Sequence, residues 1–166
     1  MEANEAVVNE LKLLNDILAK KTEELEIVAA ISENQETLIE SPYDWDDSPK
    51  MEERTFIFKE MSAEKQKHID EVLNCDNVFQ SIYDAAKDKI ELNASAYKEY
   101  LTQLQQHIEV VLELDVRIRA QETKNRTILQ NRHAEMRAAS RQAEQKSVSD
   151  EEKNRILLKY KQNNKQ

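Results

Sequence analysis

Glycine is absent from all 166 residues of this chain, and its absence restricts the possible folds more than any other sequence feature. Tight turns in β-sheets and in α/β folds rely on glycine wherever the backbone needs a positive φ angle. Hydrophobic residues make up 39% of the chain and charged residues 34%, so a thin core of Leu, Ile and Val is expected. The sequence therefore predicts long helices that are joined by few loops.

Apolar residues recur at steps of three and four along three segments, which is the periodicity of packed helices. The first segment runs from about Ala3 to Glu40, the second begins at Ser62 as its N-cap, and the third begins near Ser95. Their stripes consist of Val7, Leu11, Leu14, Leu18, Leu25, Val28 and Ile39, then Ile69, Val72, Phe79, Tyr83, Ala86 and Ile90, then Tyr97, Leu101, Leu104, Ile108, Val111 and Ile118. We expect an all-α antiparallel bundle of three long helices, partly coiled coil.

The stretch LIESPYDWDDSPKMEE, residues 38–53, separates the first two helices and holds both prolines and the single tryptophan. Each proline disfavours helical backbone in the serine before it, so the first helix ends here and the second is delayed. We expect a short helix or turn at 51–61 that covers the bundle end. The loop is interpreted as a hinge whose Tyr43 and Trp45 form a lid, with a recognition role as the alternative.

Two parts of the chain depart from regular apolar periodicity. Ser32 and Gln35 are polar positions in the first stripe, so looser packing is expected in the last third of that helix. After Ile118 the third stripe thins although helix propensity stays high to Lys146, which predicts a projecting helix. Ser149–Glu152 has the pattern of a capping box, which predicts a short extra C-terminal helix.

Charge is distributed unevenly along the chain. Residues 1–116 carry 27 acidic and 11 basic side chains, whereas residues 117–166 carry 6 acidic and 13 basic ones. We therefore treat 1–118 as the bundle core and 119–166 as an extended basic helical arm of the same domain. The basic arm is explained by a solvated helix face, by self-association with an acidic body, or by docking on an acidic partner. Nucleic acid is not expected, because the acidic body would repel phosphates.

The sequence contains no pattern that indicates catalysis, a metal or a cofactor. Phosphate-binding loops need glycine, and none of His68, His107 and His133 has the glutamate three residues earlier that di-iron bundles require. Cys75 is the only cysteine and the sequence shows no activating neighbour, so a packed or bystander thiol is expected. The longest apolar run, Ile27–Ile31, is far shorter than the roughly 20 residues of a membrane span, and we expect a cytoplasmic protein without membrane insertion.

Three segments resemble helices of the FlgN/FliT group of flagellar export chaperones. They are LLNDILAKKTEELEIVAAISENQETLIE, EKQKHIDEVLNCDNVFQSIYDAAKDKI, and YLTQLQQHIEVVLELDVRIRAQETKNRTIL with its polar Glu122–Asn125. The closing Tyr160-Lys-Gln is also similar to the end of such proteins. The stretch SPYDWDDSPKMEERTFIF matches no pattern of that group.

This resemblance implies a cytosolic, non-enzymatic chaperone that works without ATP. Members of the group bind the C-terminal helices of late flagellar export substrates, such as the filament cap or hook–filament junction proteins. They keep these substrates unassembled and deliver them to the export gate. In the group, the C-terminal helical region contributes contacts with substrate and gate.

Partner contacts are accordingly expected in the C-terminal arm. The candidate residues are Ile128, Leu129, Arg132, Met136, Arg137, Arg141, Ile156, Leu157, Leu158 and Tyr160. The arginines would steer acidic partners, and the apolar cluster near the end either packs on the bundle or binds a partner's groove. We expect a monomer or weak homodimer that binds an amphipathic helix. The alternative is a structural coiled-coil adaptor or tether that acts through self-association.

Overall fold

A computed structural model describes residues 2–164, and it consists of three long helices. Helix α1 spans Glu5–Glu40, α2 spans Ser48–Leu92 and α3 spans Lys98–Asn163, with a 3₁₀ helix at Ala94–Tyr97 before α3. No strand occurs within the described part of the chain. The predicted all-α bundle of three long helices is therefore confirmed.

Helix α1 lies between the other two helices and supplies most of the core. It packs against both neighbours, whereas α2 and α3 have hardly any close backbone contact with each other within residues 2–164. Eleven residues of α1 are buried, compared with three of α2 and four of α3. Val7, Leu11 and Leu14 are completely buried, and each contributes roughly 1.5–3 kcal/mol. The apolar stripe predicted for α1 is thus the surface on which the other helices assemble.

Helix α2 begins at Ser48, and the prediction that it begins at Ser62 is wrong. Asp47 caps the first turn, where its carboxylate accepts a 3.1 Å hydrogen bond from a backbone N–H. Pro49 occupies the first turn, where its fixed φ angle favours the helix and its missing N–H has no cost. Residues 51–61, expected to form a separate element, are therefore the first turns of α2.

Helix α3 continues without interruption and is about 100 Å long. The capping box at Ser149–Glu152 does not begin a separate helix as predicted, because the preceding turns contain neither proline nor glycine to end α3. The segment after it is helical, as expected, but it forms the last turns of α3. Contacts between α3 and the end of α1 continue to Arg132.

A layer of buried polar side chains crosses the bundle where looser packing was expected. Ser32 and Gln35 are 0% and 1% exposed. Glu122 accepts hydrogen bonds from Ser32 at 2.6 Å and from Lys65 at 2.7 Å, and Lys65 also donates to Gln35 at 2.7 Å. Asn125 donates to the backbone carbonyl of Ser32 at 2.9 Å. The expectation of looser packing is wrong, because α2 and α3 supply polar partners at this level.

The carboxylate of Glu122 is the charged centre of this polar layer. Burial by itself raises the pKa of Glu122, but the hydrogen bonds from Lys65 and Ser32 outweigh burial and lower that pKa below its usual value. The polar layer consists of Ser32 and Gln35 of α1, Ser62 and Lys65 of α2, and Glu122 and Asn125 of α3. It therefore connects all three helices at one level.

A histidine also joins α1 to α2. His68 Nδ1 lies 2.5 Å from Glu24 Oε2, and His68 Nε2 lies 3.2 Å from Glu64 Oε1. The hydrogen bond with Glu24, followed by the bond with Glu64, raises the pKa of His68 above 6.5, although burial opposes the shift. The imidazole is therefore held between carboxylates of two helices, which favour its protonated form.

We predict that this contact stabilises the bundle more at acidic than at alkaline pH. Because the pKa of His68 is raised on folding, its contribution is complete below about pH 6.5 and is lost as the pH rises through the folded-state pKa. His68→Gln should therefore reduce the pH dependence of the urea unfolding midpoint, measured across about pH 5 to 8.

The matched control is His107→Gln, which makes the same exchange on α3 and should keep the wild-type pH dependence. A His68→Gln variant whose unfolding midpoint follows pH as steeply as the wild-type midpoint would contradict the prediction.

Candidate functional site

Two arginines from the other helices bind the backbone carbonyls at the end of α1. The last turn of α1 has no basic residue, and none of residues 2–164 has the positive φ angle that closes many helix ends. Arg54 of α2 donates to the carbonyl of Leu38, while Arg132 of α3 donates to the carbonyls of Ile39 at 3.0 Å and Glu40 at 2.9 Å. These bonds satisfy the unpaired carbonyls of α1 and fix the three helices together at this end.

The two aromatic side chains of the loop after α1 lie against these arginines. The centroid of the Tyr43 ring is 4.0 Å from Cζ of Arg54 and 4.4 Å from Cζ of Arg132, within the range of cation–π contacts. The Trp45 ring lies 5.1 Å from the Tyr43 ring, and both side chains are half-buried. The loop therefore folds back on the bundle end, as the lid interpretation predicts.

A cavity of about 420 Å³ lies beneath this loop, between the first turns of α2 and the middle of α3. Its volume falls in the usual range of binding pockets. We call it the Trp45 groove, and its apolar wall consists of Ile39, Tyr43, Trp45, Met51, Phe58, Leu129 and Met136. The charged and imidazole side chains that line it are Arg54, Lys59, Arg132 and His133. The groove thus combines an apolar wall with a basic rim.

The structure brings three of the predicted partner-binding residues together in this groove. Leu129, Arg132 and Met136 line it, whereas Ile128 is half-buried on the neighbouring face of α3. Arg132 was expected to steer a partner, but its guanidinium already binds carbonyls of α1 and the carboxylate of Glu135 at 2.9 Å. Its main contribution in the isolated chain is therefore to hold α1, α3 and the loop together.

The other predicted residues lie farther along α3, away from the groove. Arg137 and Arg141 are exposed, and from Arg137 to Asn164 only Ala139 is half-buried. Ile156, Leu157, Leu158 and Tyr160 are 63%, 57%, 60% and 69% exposed. Along the helix, Ile156 lies about 30 Å beyond Met136. The predicted surface therefore consists of two places, the groove and the distal end of the arm.

The sequence prediction did not identify the part of the groove that α2 supplies. Met51, Arg54, Phe58 and Lys59 line it because α2 starts fourteen residues before the predicted N-cap at Ser62. A signal was present in the sequence, since apolar residues follow Pro49 within a run that has high helix propensity.

The remaining chemistry-bearing groups lie outside this surface. Cys75 is buried, and that burial raises the pKa of its thiol above 9.0. Among residues 2–164, no three His, Cys, Asp or Glu side chains are arranged to hold a metal ion. No helix in the same range combines the length and the apolar content that a membrane span needs.

Comparisons of the chain with protein-family models, with curated proteins and with solved structures gave no match. The resemblance to flagellar export chaperones thus stays a prediction.

We predict that the Tyr43 ring stabilises the bundle end through its contacts with Arg54 and Arg132. Tyr43→Leu removes the aromatic face and should lower the free energy of unfolding by about 1 kcal/mol. It should also shift the emission of Trp45 to longer wavelength, because the indole loses its neighbouring ring. Urea unfolding followed by Trp45 fluorescence measures both effects.

Tyr43→Phe is the matched control, because it keeps the ring and should behave like the wild type. Equal stability and equal emission of the Tyr43→Leu variant and the wild type would show that the loop is not held by this contact.

Proposed function

We propose that the protein is a non-enzymatic chaperone that binds an amphipathic helix of a partner protein through the arm of α3. The observation that carries this proposal is the exposure of four large apolar side chains, Ile156, Leu157, Leu158 and Tyr160, on a helix with no packing partner in the described chain. Contiguous apolar side chains exposed in this way commonly mark a protein interaction site.

The length of the arm supports the same proposal. From Arg137 to Asn163 the helix extends about 40 Å without burying a large side chain. A helix without tertiary packing is only marginally stable in water, since most helix stability in proteins comes from burying an apolar face. A partner helix would bury that face, and we expect the arm to gain stability when it binds.

The more specific proposal is a chaperone of type III flagellar export that acts in the cytoplasm. Its support is the resemblance of the three helical segments to the FlgN/FliT group. In this proposal the partner is the C-terminal helical region of a late export substrate, a filament cap or hook–filament junction protein. The chaperone is a monomer or weak homodimer in this proposal. It prevents premature assembly of that substrate and presents the substrate to the export gate.

A second candidate function is a structural coiled-coil adaptor or tether that acts through self-association. The uneven charge favours it, because the net positive segment 117–166 of one copy could lie on the net negative segment 1–116 of another. Light scattering of the purified protein distinguishes the two functions. The adaptor predicts a stable elongated oligomer, and the chaperone predicts a small species that forms a one-to-one complex with its substrate.

We predict that changing Ile156, Leu157 and Leu158 together to Asp weakens partner binding. Charged side chains at the centre of an apolar contact have a large cost on desolvation, so the loss should be at least about tenfold in affinity. The measurement is co-purification of the tagged protein from its own host, with mass spectrometry of the bound proteins and light scattering of the complex.

The matched control changes Val110, Leu112 and Val116 to Asp, because these three residues of α3 are also exposed but lie on the bundle. This control variant should still bind the partner protein. Unchanged binding of flagellar proteins by the Ile156, Leu157 and Leu158 variant would remove the distal end of the arm from the proposed site. A large self-oligomer without flagellar protein would contradict the chaperone proposal itself.

A further inference from the structure

The Trp45 groove is one of three adjoining depressions that all border Trp45. The second lies between the loop and α3 and reaches along α3 through Ala139, Ala143 and Lys146. The third shares Met51, Met136 and Lys59 with the groove and continues onto the outer face of α2 at Phe56. Together the depressions follow α3 from Leu129 to Lys146, a distance of about 25 Å. An elongated surface of this length suits a helix of about five turns better than a compact ligand.

The lining of the groove differs in charge from the rest of the protein. The chain has a net charge of −9, yet Arg54, Lys59, Arg132 and His133 line the groove and no acidic side chain does. Arg54 binds mainly uncharged oxygens, so its positive charge is not neutralised by a carboxylate. Lys59 and His133 form no ion pair within residues 2–164. The groove therefore places the basic side chains of Arg54 and Lys59, which have no carboxylate partner in the described part of the chain, beside an apolar wall, while Arg132 also pairs with Glu135.

One further basic residue borders this surface on the arm. Lys146 is exposed on α3 and lines the second depression, whereas Arg137 and Arg141 line none of the three depressions. Asp44 and Asp46 of the loop line the second depression and Glu52 of α2 lines the third, so acidic side chains are present in these two depressions but not in the groove itself. An acidic helix with one apolar face would place its apolar residues in the groove and its carboxylates beside Lys59 at the groove and Lys146 beyond it.

We propose that the Trp45 groove binds an acidic amphipathic helix of the partner protein, with a large aliphatic or aromatic side chain inserted beneath Trp45. That the occupant is a helix of a partner protein rests on the proposed function. The groove adds where that helix binds and which charge it carries. Ala139 and Ala143 leave room for close approach of the helix backbone, while Met136 and Leu129 contact the inserted side chain.

Trp45 is the only tryptophan of the chain, so its fluorescence reports directly on the groove. The probe is a tryptophan-free synthetic peptide of about 18 residues, with Leu at helical spacing i, i+3, i+4 and i+7 and Glu at most other positions. Titration into the purified full-length protein should shift Trp45 emission to shorter wavelength with a saturable dependence. A fluorescein-labelled form of the peptide gives the affinity independently by anisotropy.

Met136→Glu tests the site with little risk to the fold, because this side chain is 43% exposed. It should weaken the peptide at least about tenfold, since a carboxylate would face both the apolar side chain and the acidic residues of the peptide. Val116→Glu makes the same change in charge at an exposed residue of α3 on the bundle and should leave the affinity unchanged. Far-ultraviolet circular dichroism checks that both variants stay helical.

Four results would overturn the inference. The first is no binding of the acidic peptide, and the second is equal or tighter binding of a matched peptide with Lys in place of Glu. The third is equal affinity of the Met136→Glu variant and the wild type for the acidic peptide. The fourth is a shift of Trp45 emission that decanoate, used as a small apolar ligand, produces and the peptide does not. Salt should also weaken the acidic peptide, because the basic rim contributes to its binding.

The titration separates failure of this inference from failure of the proposed function. If the Ile156, Leu157 and Leu158 variant loses its host partner while Met136→Glu keeps both the partner and the peptide, only the groove proposal fails. If the peptide binds in the groove but no export substrate co-purifies with the protein, only the export function fails.

Discussion

The carbonyl groups at the end of α1 determine how this structure is arranged. This chain lacks glycine, the residue that most often closes a helix in the left-handed conformation, and no residue of 2–164 has a positive φ angle, so other groups satisfy the last carbonyls. Arg54 and Arg132 do so from two different helices, and both contact the ring of Tyr43. The same two arginines therefore cap the end of α1, connect α2 and α3 at this end, and hold the loop that forms the roof above the groove.

The separation of α2 from α3 gives the protein its concave surfaces. Both helices pack on α1, and polar contacts such as Lys65–Glu122 bridge them in the middle of the bundle. The Trp45 groove lies where α1 ends, between the first turns of α2 and the middle of α3. Beyond the groove α3 continues without a partner, so one helix carries both an anchored site and an exposed arm. This combination suits a protein that binds a long helix.

The sequence predicts the helices better than it predicts their ends and contacts. The α1 stripe is readable because Leu11 and Leu14 follow helical spacing along the chain. The start of α2 is not readable from the sequence. Pro49 disfavours helical backbone in the residue before it and favours a helix that starts at it, and only the structure shows where the helix begins. Arg132 binds the backbone carbonyl of Ile39, which lies 93 residues earlier in the chain, so local sequence carries no sign of this contact. The burial of Ser32 likewise depends on distant polar partners.

We propose that the arm of α3 is unpartnered in the isolated chain and becomes buried in a complex. Amide hydrogen exchange of the purified protein, alone and in the complex isolated from its host, tests this proposal. We expect fast exchange between Arg137 and Tyr160 and slow exchange around Leu14 in the free protein. In the complex, protection should rise along the arm and at the Trp45 groove. Arm amides that are as protected as those of α1 without a partner, or that do not change in the complex, would contradict it.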